Sequence, residues 1–178
     1  MENAEIRLEK VTWENYQKIL KLRVHKEQKN FVATNRTSLI HAFLSSSEGI
    51  PVYAFGIYKD NAPIGFLQLN YSSDWTGNER EDWLSSQEYH RYEGKYYYFI
   101  WRFMIDKKYQ GKGYGKQAFQ RALEFIRAKP AGEAEYIVLS YEPENVVAKN
   151  LYHSFGFEEH FAEYVEEGDE TIALLRME

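Results

Sequence analysis

A strand, a glycine-rich turn and a helix follow one another in the middle of the chain, and this succession constrains the fold most. The run YYYFIWRFMI, from Tyr96 to Ile105, is almost entirely aromatic or apolar, which is typical of a strand covered on both faces. The turn Gln110 to Lys116 reads QGKGYGK and supplies three glycines. Apolar residues then recur at helical spacing, which predicts an amphipathic helix closed by Pro130 and Gly132. These apolar residues are Phe119, Ala122, Leu123 and Ile126.

The rest of the chain predicts strands and helices before and after this segment. Alternating or β-rich patterns predict strands at 6–11, 51–58, 64–71, 136–141, 157–165 and 171–177. Helical spacing predicts helices from Thr12 to Leu22, from Ser38 to Leu44 with a loop at Ser45 to Ser47, and from Asn145 to Phe155. Residues 72–95 are predicted as a long acidic and aromatic loop with a short helix over 81–89. This order predicts a mixed α/β (α+β) fold in one domain, 1–178.

Composition excludes several classes of protein. The 178 residues carry a net charge of -5, which argues against a nucleic-acid-binding coat. No cysteine is present, so disulfides, thiolate metal sites and cysteine nucleophiles are excluded. The five histidines show no metal-ligand spacing, so no metal is expected. We find neither a secretory signal pattern nor an apolar run long enough for a membrane span, so a cytoplasmic protein without a membrane partner is expected.

The glycine-rich turn is suited to a pyrophosphate. Glycines let backbone N–H groups converge without side-chain obstruction, and the N-terminus of the following helix adds a positive dipole. Lys112 and Lys116 would add positive charge at its rim. The spacing G-x-G-x-G does not match the dinucleotide fingerprint, which is G-x-G-x-x-G. It does not match a P-loop either, because Lys116 is followed by Gln117 instead of Ser or Thr. The alternative is that the glycines only make a tight turn between strand and helix.

Two motifs in the right order resemble the GNAT N-acetyltransferase superfamily. Gln110 to Gly115 matches its Q-x-x-G-x-G acetyl-CoA signature, and Asn145 with the stretch from Ala148 to Phe157 is similar to its later motif. The resemblance covers nearly the whole chain. Within the superfamily, Trp101 to Asp106 and Phe31 to Ala33 are most similar to the bacterial spermine/spermidine acetyltransferase branch.

The resemblance implies a mostly antiparallel sheet flanked by helices, with a splayed fourth strand that offers its backbone to the pantetheine of acetyl-CoA. Acetyl-CoA is then the co-substrate, and the pyrophosphate belongs at the turn. By position, the residues implied to bind it are Phe103, Met104, Ile105, Gln110, Gly111, Lys112, Gly113, Tyr114, Gly115, Lys116 and Asn145.

The resemblance also implies that Tyr152 is the general acid for the departing thiolate. A phenol is protonated at neutral pH and can donate a proton; the alternative is a core tyrosine, because Tyr152 lies on an apolar stripe. Some polyamine acetyltransferases carry a glutamate base on the fourth strand, but here those positions are Trp101 and Arg102. Glu142 or a chain of water molecules is left as a candidate base, and Glu142 is equally well a solvated carboxylate.

A polyamine is the expected acceptor, because the acidic and aromatic segment 72–95 suits its ammonium groups. Glu79, Glu81 and Asp82 are its candidate binding residues, and a solvated charged loop is the alternative. Other acceptors stay open, namely a protein N-terminus, an amino acid or an aminoglycoside, as does a non-catalytic module that binds acetyl-CoA. The expected partner is a small-molecule amine; a homodimer is compatible with the sequence.

Overall fold

The computed structural model describes residues 5–75, 87–160 and 170–178. Glu79, Glu81 and Asp82, and most of the helix predicted over 81–89, lie outside the described residues. The chain divides into two compact units. The first comprises Met1–Asn70 with Trp101–Pro130, and the second comprises Tyr71–Ile100 with Ala131–Glu178.

Strands and helices follow the predicted order. The strands are β1 (Ile6–Lys10), β2 (Val52–Lys59), β3 (Ala62–Ser72), β4 (Tyr97–Ile105), β5 (Tyr136–Tyr141), β6 (Glu158–His160) and β7 (Thr171–Arg176). The α-helices are α1 (Tyr16–Ile19), α2 (Asn35–Ser47), α3 (Gln87–His90), α4 (Tyr114–Arg127) and α5 (Val146–His153), and a short 3-10 helix spans Lys26–Gln28. Strand β4 divides at Ile100, so that each unit holds one of its halves.

In the first unit the strand order is β1-β2-β3-β4. β1 and β2 run antiparallel, as do β2 and β3. One buried cluster joins Phe66 and Met104 of the sheet to Ile19 of α1, with Leu39 of α2 packed against it. The predicted stripe of α4 is buried, with Phe119, Ala122 and Ile126 completely so, which confirms the amphipathic helix.

In the second unit the strand order is β4-β5-β7-β6. β4 and β5 are parallel, while β7 is antiparallel to both β5 and β6. A core cluster is built from Trp75, Tyr92, Val138 and Leu174. The mixed, mostly antiparallel pairing confirms the predicted fold class.

Two helix boundaries in the prediction were wrong. α2 begins at Asn35, where the Thr34 hydroxyl accepts a hydrogen bond from Thr37 N at 3.2 Å, and it continues through Ser47. Ser45 is buried, so the three serines that predicted a loop belong to the helix, which ends before Gly49 with its φ of +84°. α1 is a single turn, and Trp13, expected on its apolar stripe, is 84% exposed.

Candidate active site

The glycine-rich turn leaves the N-terminus of α4 uncovered. Gly113 is the N-cap residue, with φ of +77°, and Gly111 has φ of +70°. L-residues with a side chain are strained in this left-handed region. A Cβ built at either glycine meets no atom within 4 Å, so the space in front of the turn is open. The first amides of a helix lack intrahelical partners, and here they face no capping side chain.

Gln110 fixes the turn to the end of β4. Its Nε2 donates to Ile105 O at 2.8 Å and to Gln28 Oε1 at 2.9 Å. These two bonds turn the amide toward the protein, so Gln110 positions the turn. Direct contact with the cofactor stays a prediction for this residue.

Asp106 anchors the same junction. It is 6% exposed, and its carboxylate accepts from Arg23 N at 2.8 Å and from Lys108 N at 3.0 Å. Bonds of this kind to a charged acceptor are stronger than neutral ones.

Asp106→Ala is therefore expected to destabilise the protein. The substitution leaves two backbone N–H groups without their acceptor, and each buried orphan costs about 1–3 kcal/mol. We expect the free energy of unfolding, measured by urea denaturation, to fall by roughly 2–4 kcal/mol. A loss within experimental error would show that water replaces the carboxylate.

The three other side chains of the turn lie at its surface or pack on neighbours. Lys112 Nζ donates to Lys108 O at 2.8 Å and lies 5.7 Å from the centre of the Tyr109 ring. Lys59 Nζ lies 5.7 Å from the Tyr114 ring. Lys116 is exposed. Gly115, unlike Gly111 and Gly113, has no left-handed φ, and a Cβ there would lie 3.8 Å from Ile105 Cγ1.

The second half of β4 has an edge without strand partners in β5. The parallel pairing with β5 runs from Tyr97↔Tyr136 to Ile100↔Leu139 and then ends. The backbone N–H and C=O groups of 101–105 on that edge therefore take no ladder bonds from β5. This is the splay that the sequence resemblance implied.

Side-chain alternation breaks at the start of this part of β4. Phe103 packs on Phe119 of α4, with ring centroids 5.4 Å apart. Trp101, two residues earlier, should share that face, yet it stacks on His41 of α2 at 5.3 Å. The Trp101 side chain is thus turned toward α2, whereas that of Phe103 is turned toward α4. The side chains of Met104 and Ile105 are buried, so these residues can offer a ligand only their backbone.

Tyr152 lies in the second unit within an aromatic cluster. It is 7% exposed, and its ring centroid is 5.6 Å from that of Tyr141 and 6.2 Å from that of Phe157. Burial, and after it the negative charge of Glu170, raises the pKa of the Tyr152 hydroxyl well above its usual value. The hydroxyl is therefore protonated at neutral pH, as a general acid must be, and the packing equally fits a core tyrosine.

Two carboxylates of the second unit influence one another electrostatically. Partial burial raises the pKa of Glu142, and the charges of Glu170 and Glu144 raise it further. Glu170 accepts a hydrogen bond from the Ser140 hydroxyl. A carboxylate with a raised pKa is a better proton acceptor at neutral pH, so Glu142 keeps the chemistry of a base. Sequence patterns did not single out Glu170, because it lies 28 positions away from Glu142.

Asn145 is the N-cap of α5. Its Oδ1 accepts from Ala148 N at 3.2 Å, so its carbonyl oxygen is used within the helix. A contact between Asn145 and the cofactor stays a prediction.

Two buried amides of β3 were also missed by the sequence analysis. Gln68 is completely buried and Asn70 is 9% exposed. Both side-chain polar atoms of Gln68, Oδ1 of Asn70 and Nδ1 of His41 have no hydrogen-bond partner among the described residues. Buried polar groups are normally paired, so these atoms, which the described residues leave without a partner, are suited to a ligand or ordered water; we call His41, Gln68 and Asn70 the polar patch.

The described part of the chain contains neither a candidate metal cluster nor a candidate membrane span. Within 5–75, 87–160 and 170–178, no cluster of three His, Asp or Glu side chains could hold a metal ion. No helix among those residues is both long and apolar enough to cross a lipid bilayer.

The fold and the turn define an acetyltransferase. Residues 12–157 match the acetyltransferase (GNAT) family, and the chain belongs to this family. Acetyl-CoA is accordingly its co-substrate, and the open, left-handed glycine turn at the N-terminus of α4 fits the pyrophosphate of that molecule.

Curated relatives and solved structures agree with this assignment. The chain is 26% identical over 155 residues to a probable spermine N(1)-acetyltransferase of Bacillus subtilis subsp. natto (strain BEST195), covering 86% of this chain and 88% of the relative. It is 25% identical, with the same coverage, to spermine/spermidine N(1)-acetyltransferase of Bacillus subtilis (strain 168). The PaiA N-acetyltransferase of Thermoplasma acidophilum, solved with coenzyme A, has the same fold (TM-score 0.62, 14% identity, 97% of this chain and 99% of that chain).

Proposed function

We propose that this protein acetylates a primary amine by direct attack of the amine nitrogen on the thioester of acetyl-CoA, with a polyamine as the acceptor and Tyr152 as the general acid. The observation that carries the proposal is the junction of β4 and α4. There, the part of β4 beyond its pairing with β5 leads into a turn whose two left-handed glycines leave the first helix amides without a side-chain cap. The family match runs from residue 12 to 157 and includes parts of both units, which supports one acetyltransferase domain.

Each side of the reaction has residues suited to it. Acetyl-CoA supplies the activated acetyl group. The turn at 111–116 binds the pyrophosphate of acetyl-CoA through backbone N–H groups. The edge of β4 at Phe103 to Ile105 exchanges backbone hydrogen bonds with the pantetheine arm of acetyl-CoA. Such positioning supplies much of the rate enhancement when two reactants must be brought together. Tyr152, kept protonated by its burial, then gives its proton to the departing thiolate.

Deprotonation of the amine needs a separate group. Glu142 is our candidate for the base, because its pKa is raised by burial and by neighbouring carboxylates. A carboxylate whose pKa is raised is a stronger base than an ordinary carboxylate, which suits general-base catalysis.

Three observations support a polyamine acceptor. Both curated relatives named above are spermine or spermine/spermidine acetyltransferases by name. The chain carries a net charge of -5. Acidic residues recur from Asp74 to Glu93, and carboxylates attract ammonium groups, whereas Trp75 and Tyr92 of this segment are buried in the core of the second unit.

We expect spermine and spermidine to exceed simple monoamines in kcat/KM, and this preference to weaken with added salt, because exposed charges are screened over about 10 Å at 0.1 M. The triple substitution Glu79→Gln, Glu81→Gln and Asp82→Asn should raise the KM for spermine more than the KM for a monoamine. Steady-state assays of CoA release measure both effects.

A matched control is available in the first unit. Glu5, Glu27 and Glu48 are exposed, and neutralising all three makes the same change in net charge away from the acidic segment. Equal effects of the two triple variants on spermine would attribute the preference to overall charge. A wild-type enzyme that ignores polyamines would remove the polyamine proposal and leave a general amine acetyltransferase.

A panel of acceptors tests the remaining alternatives. Peptide N-termini, amino acids and aminoglycosides should be assayed beside polyamines for CoA release. A protein that binds acetyl-CoA but releases no CoA with any of these amines would instead be a non-catalytic acetyl-CoA-binding module.

A further inference from the structure

The polar patch of His41, Gln68 and Asn70 has a composition that suits an amine. We propose that His41, Gln68 and Asn70 form the pocket that receives the acceptor nitrogen, and that Arg102 makes this pocket selective for the uncharged form of the amine. This inference rests on the proposed acetyltransferase function and assigns the acceptor side of the same reaction.

The residues of the patch share one face of the sheet in the first unit. Phe66 packs with Met104 under α1 and α2, and strand alternation places Gln68 and Asn70 on the face of Phe66. Their partners on β2 are Ala54 and Val52, whose side chains carry no polar atom that could bond to the two amides.

The neighbouring strand brings the remaining residues to the same place. Asp106 N donates to Ile64 O at 2.7 Å. Moving from this bond toward the start of β4 and toward the end of the neighbouring strand β3 places Gln68 beside Trp101 and Arg102. The Arg102 guanidinium lies 4.9 Å from the Trp101 ring centre and donates to Trp101 O at 2.8 Å. His41 stacks on the same Trp101 ring. These contacts with Trp101 therefore place a guanidinium and an imidazole beside the buried amides.

The atoms without partners define the chemistry of the ligand. Oε1 of Gln68 and Oδ1 of Asn70 accept hydrogen bonds, and Nδ1 of His41 accepts one in the corresponding neutral tautomer. Nitrogen-bound hydrogens of an amine can satisfy these atoms. Burying an amide without partners is unfavourable, so the completely buried Gln68 indicates a ligand or ordered water beside it.

Charge then decides which form of the amine enters. The elements around the patch contribute His41 from α2, Tyr58 from β2, and Arg102 and Asp106 from β4. Asp106 accepts backbone bonds from Arg23 and Lys108 at the far end of the strand, which leaves the Arg102 guanidinium as the nearer charge. A positive charge disfavours an ammonium beside it, and only the uncharged amine has the lone pair that attacks a thioester.

The first test replaces the buried amide by a side chain of similar size. Gln68→Leu should lower kcat/KM for the acceptor by at least about tenfold, the effect of one lost hydrogen bond of roughly 1.4 kcal/mol. The KM for acetyl-CoA should stay the same, and the melting temperature should stay or rise, because an apolar residue removes an unpaired polar group. Gln120→Leu on the exposed face of α4 is the matched control. Unchanged acceptor kinetics, or a melting temperature that falls with the activity, would overturn the pocket.

The second test measures how the positive charge of Arg102 affects the pKa of the bound amine. Arg102→Met should move the acid limb of the kcat–pH profile upward by about one unit, because removal of a nearby cation makes the bound amine easier to protonate. Arg102→Lys keeps the charge and should keep the position of the limb. If the acid limb of the kcat–pH profile of Arg102→Met lies where it does in the wild type, the proposed selectivity for the uncharged amine is refuted. A wild-type protein without activity on any amine would refute the proposed function itself, whereas an active wild type with unaffected variants would refute only the pocket.

Discussion

Gly113→Val should abolish binding of acetyl-CoA while the protein still folds. The substitution places a β-branched side chain at φ of +77°, directly at the N-cap of α4, and its Cβ projects into the open space where the pyrophosphate is proposed to bind. The ligand then loses its approach to the helix amides. We expect affinity, measured by calorimetry, to fall by more than about 100-fold, which corresponds to some 2.8 kcal/mol of binding energy.

A matched variant separates the loss of the ligand site from backbone strain. Gly49 follows α2, has φ of +84°, and a Cβ there also meets no atom within 4 Å. Gly49→Val should therefore lower stability about as much, by roughly 1–3 kcal/mol, and leave acetyl-CoA affinity intact. If a folded Gly113→Val protein binds acetyl-CoA as tightly as the wild type, the pyrophosphate lies elsewhere.

The turn was predictable because its signals are local. Spacing of the glycines, the apolar strand before them and the helical stripe after them are all contained within about thirty residues. The structure adds that Gly111 and Gly113 need their left-handed backbone, whereas Gly115 does not. It also gives Gln110 an inward-facing amide, which a motif alone cannot show.

The acceptor-side residues were not predictable from their pattern. Gln68 and Asn70 alternate with apolar residues in β3 as any half-exposed polar residues do. Their burial arises from the covering of that face by helices distant in sequence. Trp101 departs from side-chain alternation, and nothing in the residue types of Trp101 to Phe103 indicates this departure. Glu170 likewise acquires its influence on Tyr152 and Glu142 through tertiary structure.

Tyr152→Phe should lower kcat by roughly 100-fold or more, the usual scale for a lost general acid. Phenylalanine preserves most of the ring packing against Tyr141 and Phe157, so the melting temperature and the affinity for acetyl-CoA should change little. Because burial and the charge of Glu170 raise the pKa of this hydroxyl, Tyr152 should hold its proton through the alkaline range. The kcat of the wild type should therefore show no loss attributable to Tyr152 ionisation below about pH 10.

Tyr141→Phe supplies the comparison that decides between a catalytic and a structural role for Tyr152. Tyr141 lies in the same aromatic cluster, but its hydroxyl donates to Glu159 Oε1 at 2.6 Å, so its removal should lower stability by about 1 kcal/mol and leave kcat close to that of the wild type. If the rate is limited by proton donation to the thiolate, only Tyr152→Phe slows the chemical step, and an acyl donor with a more acidic leaving thiol should restore part of its turnover. Near-normal turnover by Tyr152→Phe, or an equal loss in the two variants, would show that Tyr152 is a core tyrosine and that the thiolate takes its proton from another group.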